Sequence, residues 1–329
     1  MGLIDQALEV PVVTSFTRLG YAIRSKISEW PRLADFKLGG RAVAITGPTS
    51  GIGLAAAHQL AQCGATVILI GRDAEKTQRV RQLIAAKSGN DNIDVAIASM
   101  DDCDSVASAA QKISAKYPRL DALLHNAGSL SATRQLAASG VEQTVASQVV
   151  GPFLLTTLLL ENLRAGSTGR VITMSSGGMY TADLEVDRLQ MGKDYSGATQ
   201  YALAKRAQVT LNEMWAQRVP LNEVVFHSMH PGWVDTPGVR DALPTFRRVV
   251  GPLLRTPDQG ADTLVWLAAC DSAPLSSSGK FWLDRQPRSI HRLHRTKASD
   301  TEARRAELWQ WCESITGTGP TLPSNSSGR

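Results

Sequence analysis

Tyr201-Ala202-Leu203-Ala204-Lys205 sets a phenol and an ammonium four residues apart, and on a helix such side chains share a face. A phenol with an ordinary pKa of about 10 is a poor proton donor or acceptor at neutral pH. A fixed ammonium beside it stabilises the phenolate and brings the pKa toward the working range. By itself this spacing is common on helix surfaces. Upstream, an apolar run ends in Ser175-Ser176, a hydroxyl pair at the carboxyl end of a strand, where open α/β sheets hold ligands. Further upstream, Thr46-Gly47-Pro48-Thr49-Ser50-Gly51-Ile52-Gly53 follows an apolar run and opens a helix. Glycines there permit a tight turn and let the backbone approach a pyrophosphate, whose charge meets free amides at the helix start. No Gly-Lys-Ser/Thr follows, so this is not a nucleoside-triphosphate loop.

These residues need a frame. From Arg41 onward, short β-rich runs alternate with helical patterns. Expected strands are Ala42–Thr46, Thr66–Ile70, Ile93–Ala98, Ala122–His125, Arg170–Met174, Val224–Ser228 and Lys280–Asp284. Expected helices are Ile52–Gln62, Ala74–Ala86, Ser105–Tyr117, Pro152–Leu163, Thr199–Arg218 and Pro257–Ala269. Such alternation implies parallel pairing through helical crossovers, hence one doubly wound α/β sheet of Rossmann type with helices on both faces. The strands are continuous apolar runs, as strands covered on both sides should be.

The spacing Gly47-x-x-x-Gly51-x-Gly53, with Ser176, Tyr201 and Lys205 downstream, resembles the short-chain dehydrogenase/reductase family. Two further segments match in order: His125-Asn126-Ala127-Gly128, with His125 in place of the family's first Asn, and Pro231-Gly232-Trp233-Val234-Asp235-Thr236. The resemblance covers about residues 41–285. Ser175-Ser176-Gly177-Gly178-Met179 and Thr236-Pro237-Gly238-Val239-Arg240 narrow it to the dehydrogenase/reductase member 12 subgroup, near the retinol-dehydrogenase-like branch.

The resemblance implies an oxidoreductase that interconverts a carbonyl and an alcohol. Tyr201 would exchange the proton. Lys205 would hold the nicotinamide ribose and lower the tyrosine pKa. Ser176, with Ser175 as the fallback, would orient the substrate carbonyl. Gly47, Thr49, Ser50, Gly51, Ile52, Gly53, Asn126, Gly128, Pro231, Gly232, Val234 and Thr236 would contact the cofactor, together with Tyr201 and Lys205. The branch suggests a hydrophobic substrate of retinoid, steroid or fatty-aldehyde class. A homo-oligomer is a further family expectation.

The second strand leads into Gly71-Arg72-Asp73. An acid at the strand end would bind the ribose 2′-hydroxyl of NAD, but glycine stands there. Arg72 can pair with a 2′-phosphate, so NADP(H) is the expected cofactor. NAD(H) is the alternative, with Asp73 as the acid. Two departures from the family stand out. Gln148 replaces an Asn that supports a water relaying protons to the lysine, and Ser99 replaces an Asp near the adenine. They motivate a rival reading: an NADP(H)-binding regulatory or scaffold protein that has lost turnover.

With 329 residues, 43% of them hydrophobic and 20% charged, wholesale disorder is excluded. The net charge of +5 is too small and dispersed to argue for nucleic acid. Four widely spaced cysteines and six histidines show no metal-ligand spacing, so no metal is expected. The start of the chain lacks a leader pattern, and a cytoplasmic protein is expected.

Two flanks lie outside the core. In residues 1–40, Val12, Phe16, Leu19, Ile23, Ile27 and Trp30 recur at helical spacing with Arg18, Arg24 and Lys26 between them. This amphipathic arm has two readings: docking on protein, or peripheral attachment of residues 12–30 to an anionic membrane. Residues 286–329 hold an expected helix, opened by Ser299-x-x-Glu302 with Leu308, Trp311 and Ile315 on one side, and a mobile tail over Thr316–Arg329.

Overall fold

The computed structural model describes residues 5, 12–166, 168–242 and 244–319. Seven parallel strands form its centre: β1 Ala42–Thr46, β2 Thr66–Gly71, β3 Ile93–Ile97, β4 Ala122–His125, β5 Gly169–Met174, β6 Val224–Met229 and β7 Lys280–Leu283. A short antiparallel β8, Gln286–Arg288, closes one edge. The order is β3-β2-β1-β4-β5-β6-β7-β8. Ile45 of β1 pairs with Leu69 of β2 on one side and Leu124 of β4 on the other. The strand order therefore reverses between β1 and β4, and the crevice at their carboxyl ends is where a doubly wound sheet binds ligands.

Alternation along the buried strands sends residues to two cores. Val43 and Ile45 face one layer, with α3 (Gly51–Gln62), α4 (Ala74–Ser88) and α10 (Pro257–Ala269). Ala42 and Ala44 face the other, with α5 (Cys103–Lys116), α6 (Gly151–Arg164) and α7 (Gly197–Arg218). Small residues let α3 lie close to the sheet, since Gly53, Ala55, Ala56, Ala57 and Ala61 are all buried. Local signals set the helix ends. Asp73 caps α4 by accepting from Lys76 N–H, and Gly89 ends it at φ 69°. Thr256 and Gln259 form a reciprocal capping box on α10.

The helix containing α6 begins earlier than expected. A turn at Gln143–Val145 and a π turn at Ala146–Val150 precede it. Pro152 has no N–H to give Gln148, four residues back, so the ladder opens there. Gln208 Nε2 on α7 donates to the Gln148 carbonyl instead, at 2.5 Å. The run Gln143–Arg164 is long and apolar enough to cross a membrane, but 78% of its apolar window is buried inside the protein.

Both flanks pack on the core. The arm forms α1 (Val12–Phe16) and α2 (Arg18–Ile27). Its burial departs from the amphipathic expectation: Phe16 and Arg24 are each 3% exposed, while Leu19 is 50% and Ile27 54% exposed. The Val12 side chain lies outside the described residues. At the other end, α11 (His294–Ser299) precedes α12 (Glu302–Thr316). The expected Ser299 box does not form. Thr301 caps α12, and the Ser299 hydroxyl donates to Thr296 O and accepts from Leu184 N–H. Leu308, Trp309 and Cys312 are buried in α12, with Trp311 and Ile315 packed beside them. The tail beyond residue 319 lies outside the described residues.

Candidate active site

The loop after β1 is shaped by contacts that exclude side chains. Gly47 sits at φ 66°, and a Cβ there would lie 2.9 Å from Ala127 Cα. A Cβ on Gly53 would lie 2.2 Å from Gly47 O and 2.3 Å from Asn126 Nδ2. Asn126 Nδ2 donates to Thr46 O and Gly47 O, and Thr46 Oγ1 accepts from Asn126 N–H and Ala127 N–H. Asn126 is thus a brace under the glycine turn. Ser50 makes no side-chain cap on α3. The first amides of α3 are left for another acceptor, at a helix end that carries partial positive charge. This cradle, closed to side chains and open to an anion, fits a dinucleotide pyrophosphate.

The segment 231–236 completes the rim. The Thr236 methyl would lie 3.2 Å from a Cβ on Gly51, and Val234 packs at the contact between Gly260 of α10 and Ile52 of α3. Gly232 takes φ 79°, with the Arg255 guanidinium where a side chain would stand.

The candidate acid-base residues meet at the end of β5. Lys205 and Tyr201 share one face of α7, with Nζ 5.2 Å from the Tyr201 ring centroid. Lys205 Nζ donates to Met174 O at 2.8 Å and is itself 2% exposed. The Ser176 side chain stands close enough to Tyr201 to lower its phenol pKa, and its hydroxyl accepts from Gly178 N–H. The Ser175 hydroxyl instead donates to Lys205 O, which leaves Ser176 as the serine at the phenol.

Burial dominates the electrostatics. It pushes the Tyr201 phenol up to about 12, against the influence of the Ser176 side chain, which lowers it. It pushes the Lys205 ammonium down to about 7. Removing both groups from water favours both neutral forms, and this outweighs the other influences on the pair.

Gln148 lies beside this pair. Its Nε2 donates to Ser129 O at 2.7 Å, and its Oε1 is buried without a partner. A Cβ on Gly128 would lie 3.1 Å from that Oε1 and 3.5 Å from Lys205 Nζ, so Gly128 holds open the space the two groups face. His125, which stands for the family's first Asn, is buried and bonded through Nε2 to Thr156 Oγ1. Burial holds its pKa down near 3, so it is neutral. Ser99 donates to Asp101 Oδ1, and Gln143 Nε2 donates to Oδ2 of the same carboxylate.

Sequence reasoning missed Gln208, Arg255 and the contribution of Phe16. Gln208 stands three residues after Lys205, on the helix turn that follows it. Arg255 and Phe16 carried no local signal, since their partners lie up to 240 residues away.

The short chain dehydrogenase family model matches residues 41–245. Human "Dehydrogenase/reductase SDR family member 12" is 38% identical over 304 residues, covering 92% of this chain and 94% of the relative. Human "Retinol dehydrogenase 11" is 31% identical, over 81% of this chain and 86% of that protein. Among solved structures, a protein from Mycobacterium paratuberculosis matches with a TM-score of 0.70 at 26% identity, covering 87% of this chain and 97% of that one. A short chain dehydrogenase from Escherichia coli CFT073 complexed with NADPH matches at 0.62 and 26%, covering 78% and 100%. The glycine cradle, the Ser176–Tyr201–Lys205 cluster and these likenesses agree: the chain belongs to the short-chain dehydrogenase/reductase family of oxidoreductases.

Proposed function

We propose that the chain is an NADP(H)-dependent reductase of carbonyl groups on hydrophobic molecules. The observation that carries this reading is the meeting of Ser176, Tyr201 and Lys205 at the end of β5, beside the glycine cradle. The NADP(H) part rests on the end of β2. A Cβ on Gly71 would lie 2.2 Å from Thr77 Oγ1, so no acidic side chain fits where an NAD enzyme would place one. Asp73 is engaged as the cap of α4. Arg72 remains exposed there, and its charge helps hold the Asp101 carboxyl below its ordinary range, although burial pulls the other way. The solved relative complexed with NADPH supports the same choice. The hydrophobic class is supported by relatives named retinol dehydrogenase and polyprenol dehydrogenase, and by the partly buried Trp233 of the 231–236 segment in edge-to-face contact with the partly buried Phe246.

When bound, the nicotinamide supplies or accepts the hydride. The chain's own residues do the rest. The amides of Gly51–Gly53 would hold the pyrophosphate, and Arg72 the 2′-phosphate. Ser176 would orient the carbonyl oxygen, and Tyr201 would give it a proton. Burial keeps the Tyr201 phenol protonated at neutral pH, and the Ser176 hydroxyl acts to bring its pKa back toward the working range, as proton transfer requires. Lys205, whose pKa burial brings down toward neutrality, would return a proton to the tyrosine.

The test is titration with NADPH and NADH, followed by a carbonyl panel monitored by NADPH oxidation. NADPH should bind more tightly, and Arg72→Ala should cut that preference about 10- to 100-fold, as expected for one charge-assisted contact. An equal or stronger hold on NADH would overturn the cofactor assignment. Bound NADPH without turnover on any carbonyl would favour the regulatory reading.

A further inference from the structure

The N-terminal arm ends up against the rim that carries the catalytic serine and the 231–235 loop. The Phe16 ring meets His230 edge-on, with centroids 4.2 Å apart, and Trp233 at 5.9 Å. Trp233 in turn meets Phe246 at 5.1 Å. Gly177, the residue after Ser176, has Phe16 so close that a Cβ would lie 2.8 Å from its ring. One arm side chain therefore backs both the serine turn and the aromatic pair that faces outward beside it.

The main chain tells the same story. Trp233 N–H donates to Phe16 O at 2.7 Å. Arg255, 1% exposed, donates to Ser15 O, Thr17 O and Pro231 O. Its own backbone exchanges hydrogen bonds with Trp233 O and Asp235 N–H. Asp284, also 1% exposed, neutralises Arg255 through both carboxylate oxygens and receives Arg24 from the arm as well. The 231–235 loop thus takes its shape from Arg255 and residues 15–17. Buried backbone groups need partners, and here the arm supplies them.

We infer that the arm is a working part of the site: residues 15–17 with Arg255 position the 231–235 loop for the cofactor, and Phe16 stiffens the Trp233–Phe246 wall that selects bulky apolar substrates. This rests on the reductase reading above. Phe16 and Arg255 act as positioning residues. They touch the loop and the aromatic wall, and reach cofactor and substrate only through them.

The test uses full-length Phe16→Ala, Phe16→Leu and, as a control on the exposed side of the arm, Leu19→Ala. Three quantities are read: hydrogen exchange of the 231–236 peptide, NADPH dissociation constant, and KM for a ten-carbon against a three-carbon aldehyde. Phe16→Ala should speed exchange of that peptide and weaken NADPH about tenfold each, the size expected when a packed ring is removed from beneath a locally opening segment. KM for the long aldehyde should rise more than kcat falls, with the short aldehyde little affected. Phe16→Leu should shift each readout in the same direction but less, and it decides the matter if Phe16→Ala does not fold. Leu19→Ala should match wild type. A Phe16 variant that melts earlier yet keeps wild-type exchange and NADPH affinity would overturn the inference. Exchange and NADPH binding decide it even if no carbonyl is turned over, a result that would count against the reductase reading alone.

Discussion

The loop after β1 and the loop after β6 reach the same rim of the sheet, yet they are held differently. The first is braced from nearby: the strand feeds it, α3 receives it, and Asn126 on the adjacent strand secures its carbonyls. Its glycines are each required by a close approach. The second loop has no regular structure of its own. It rests on a buried ion-pair cluster, Arg255 with Asp284 and Arg24, and on arm carbonyls 238 and 240 residues away in sequence. The loop after β1 is a locally encoded motif that tolerates change elsewhere. The loop after β6 is assembled from distant pieces and is vulnerable at each of them.

If the two sides are separable, their variants should separate too. Tyr201→Phe should reduce turnover about 1,000-fold, within the usual range for removal of a general acid, while NADPH affinity stays at the wild-type value. A retained turnover would break the assignment of the proton donor. Gly53→Ala should do the opposite at the other loop. It forces the Gly47 carbonyl aside, so NADPH binding should fall by more than an order of magnitude and stability by about 1–3 kcal/mol, the overpacking range. Calorimetry and thermal melts would check both.

A third prediction concerns pH. The folded Lys205 ammonium has a pKa of about 7, against about 10.4 in an unfolded chain. Between these values the unfolded chain binds more protons, so this residue makes stability rise as pH rises through that window. Below pH 7 the full burial penalty remains. The melting temperature of Lys205→Met relative to wild type should therefore be most favourable below pH 7 and decline steadily toward pH 10. A difference that does not change with pH would refute the buried neutral lysine. The smallest effect is expected for Gln148→Asn. The Gln148 carbonyl already has Gln208 as its partner, and its side chain amide contacts only Ser129 O. Turnover should be at or above wild type, within about threefold, since only water placement beside Lys205 would change. A large loss would show that Oε1 does more than face the lysine.

The same contrast explains what could be read from the chain before its structure. β1, β4 and α10 have the expected boundaries, because apolar runs, glycines and the Thr256 box are local signals. Ser175 and Ser176 differ only in geometry, the Ser175 hydroxyl donating to Lys205 O and the Ser176 hydroxyl accepting from Gly178 N–H, and neither bond is legible in the sequence. β8 was missed because Gln286-Pro287-Arg288 has neither alternation nor β-branched residues. It exists because Asp284 and Arg285, at φ 54° and 56°, turn the chain while ion-paired to Arg255 and Asp262. The helical turns over Gln143–Val150 that lead into α6 were missed, since a proline normally opens a helix and the Gln208 amide that receives the Gln148 carbonyl lies on another helix. The depressed lysine and raised tyrosine pKa values follow from burial, which spacing does not reveal.

The ion-pair cluster at Asp284 also sets an order of events during synthesis. A ribosome delivers the arm first and Arg255, Asp284 and β8 near the end. Although α10, which packs over α3, follows Arg255, the strands β1 and β4, the glycine turn and α3 are all delivered well before that point and can begin to take shape while the chain is still growing. The rim after β6 cannot. Arg24 and Asp284 are 260 residues apart, so their pairing closes a loop spanning most of the molecule. Until then Arg255 lacks the Asp284 carboxylate that makes its burial tolerable, and Arg24 lacks one of its acidic partners, Asp284, while Asp5 is already made. A truncated or stalled chain would therefore carry a partly formed glycine cradle beside an unfinished rim. Completion of the site is tied to completion of the polypeptide.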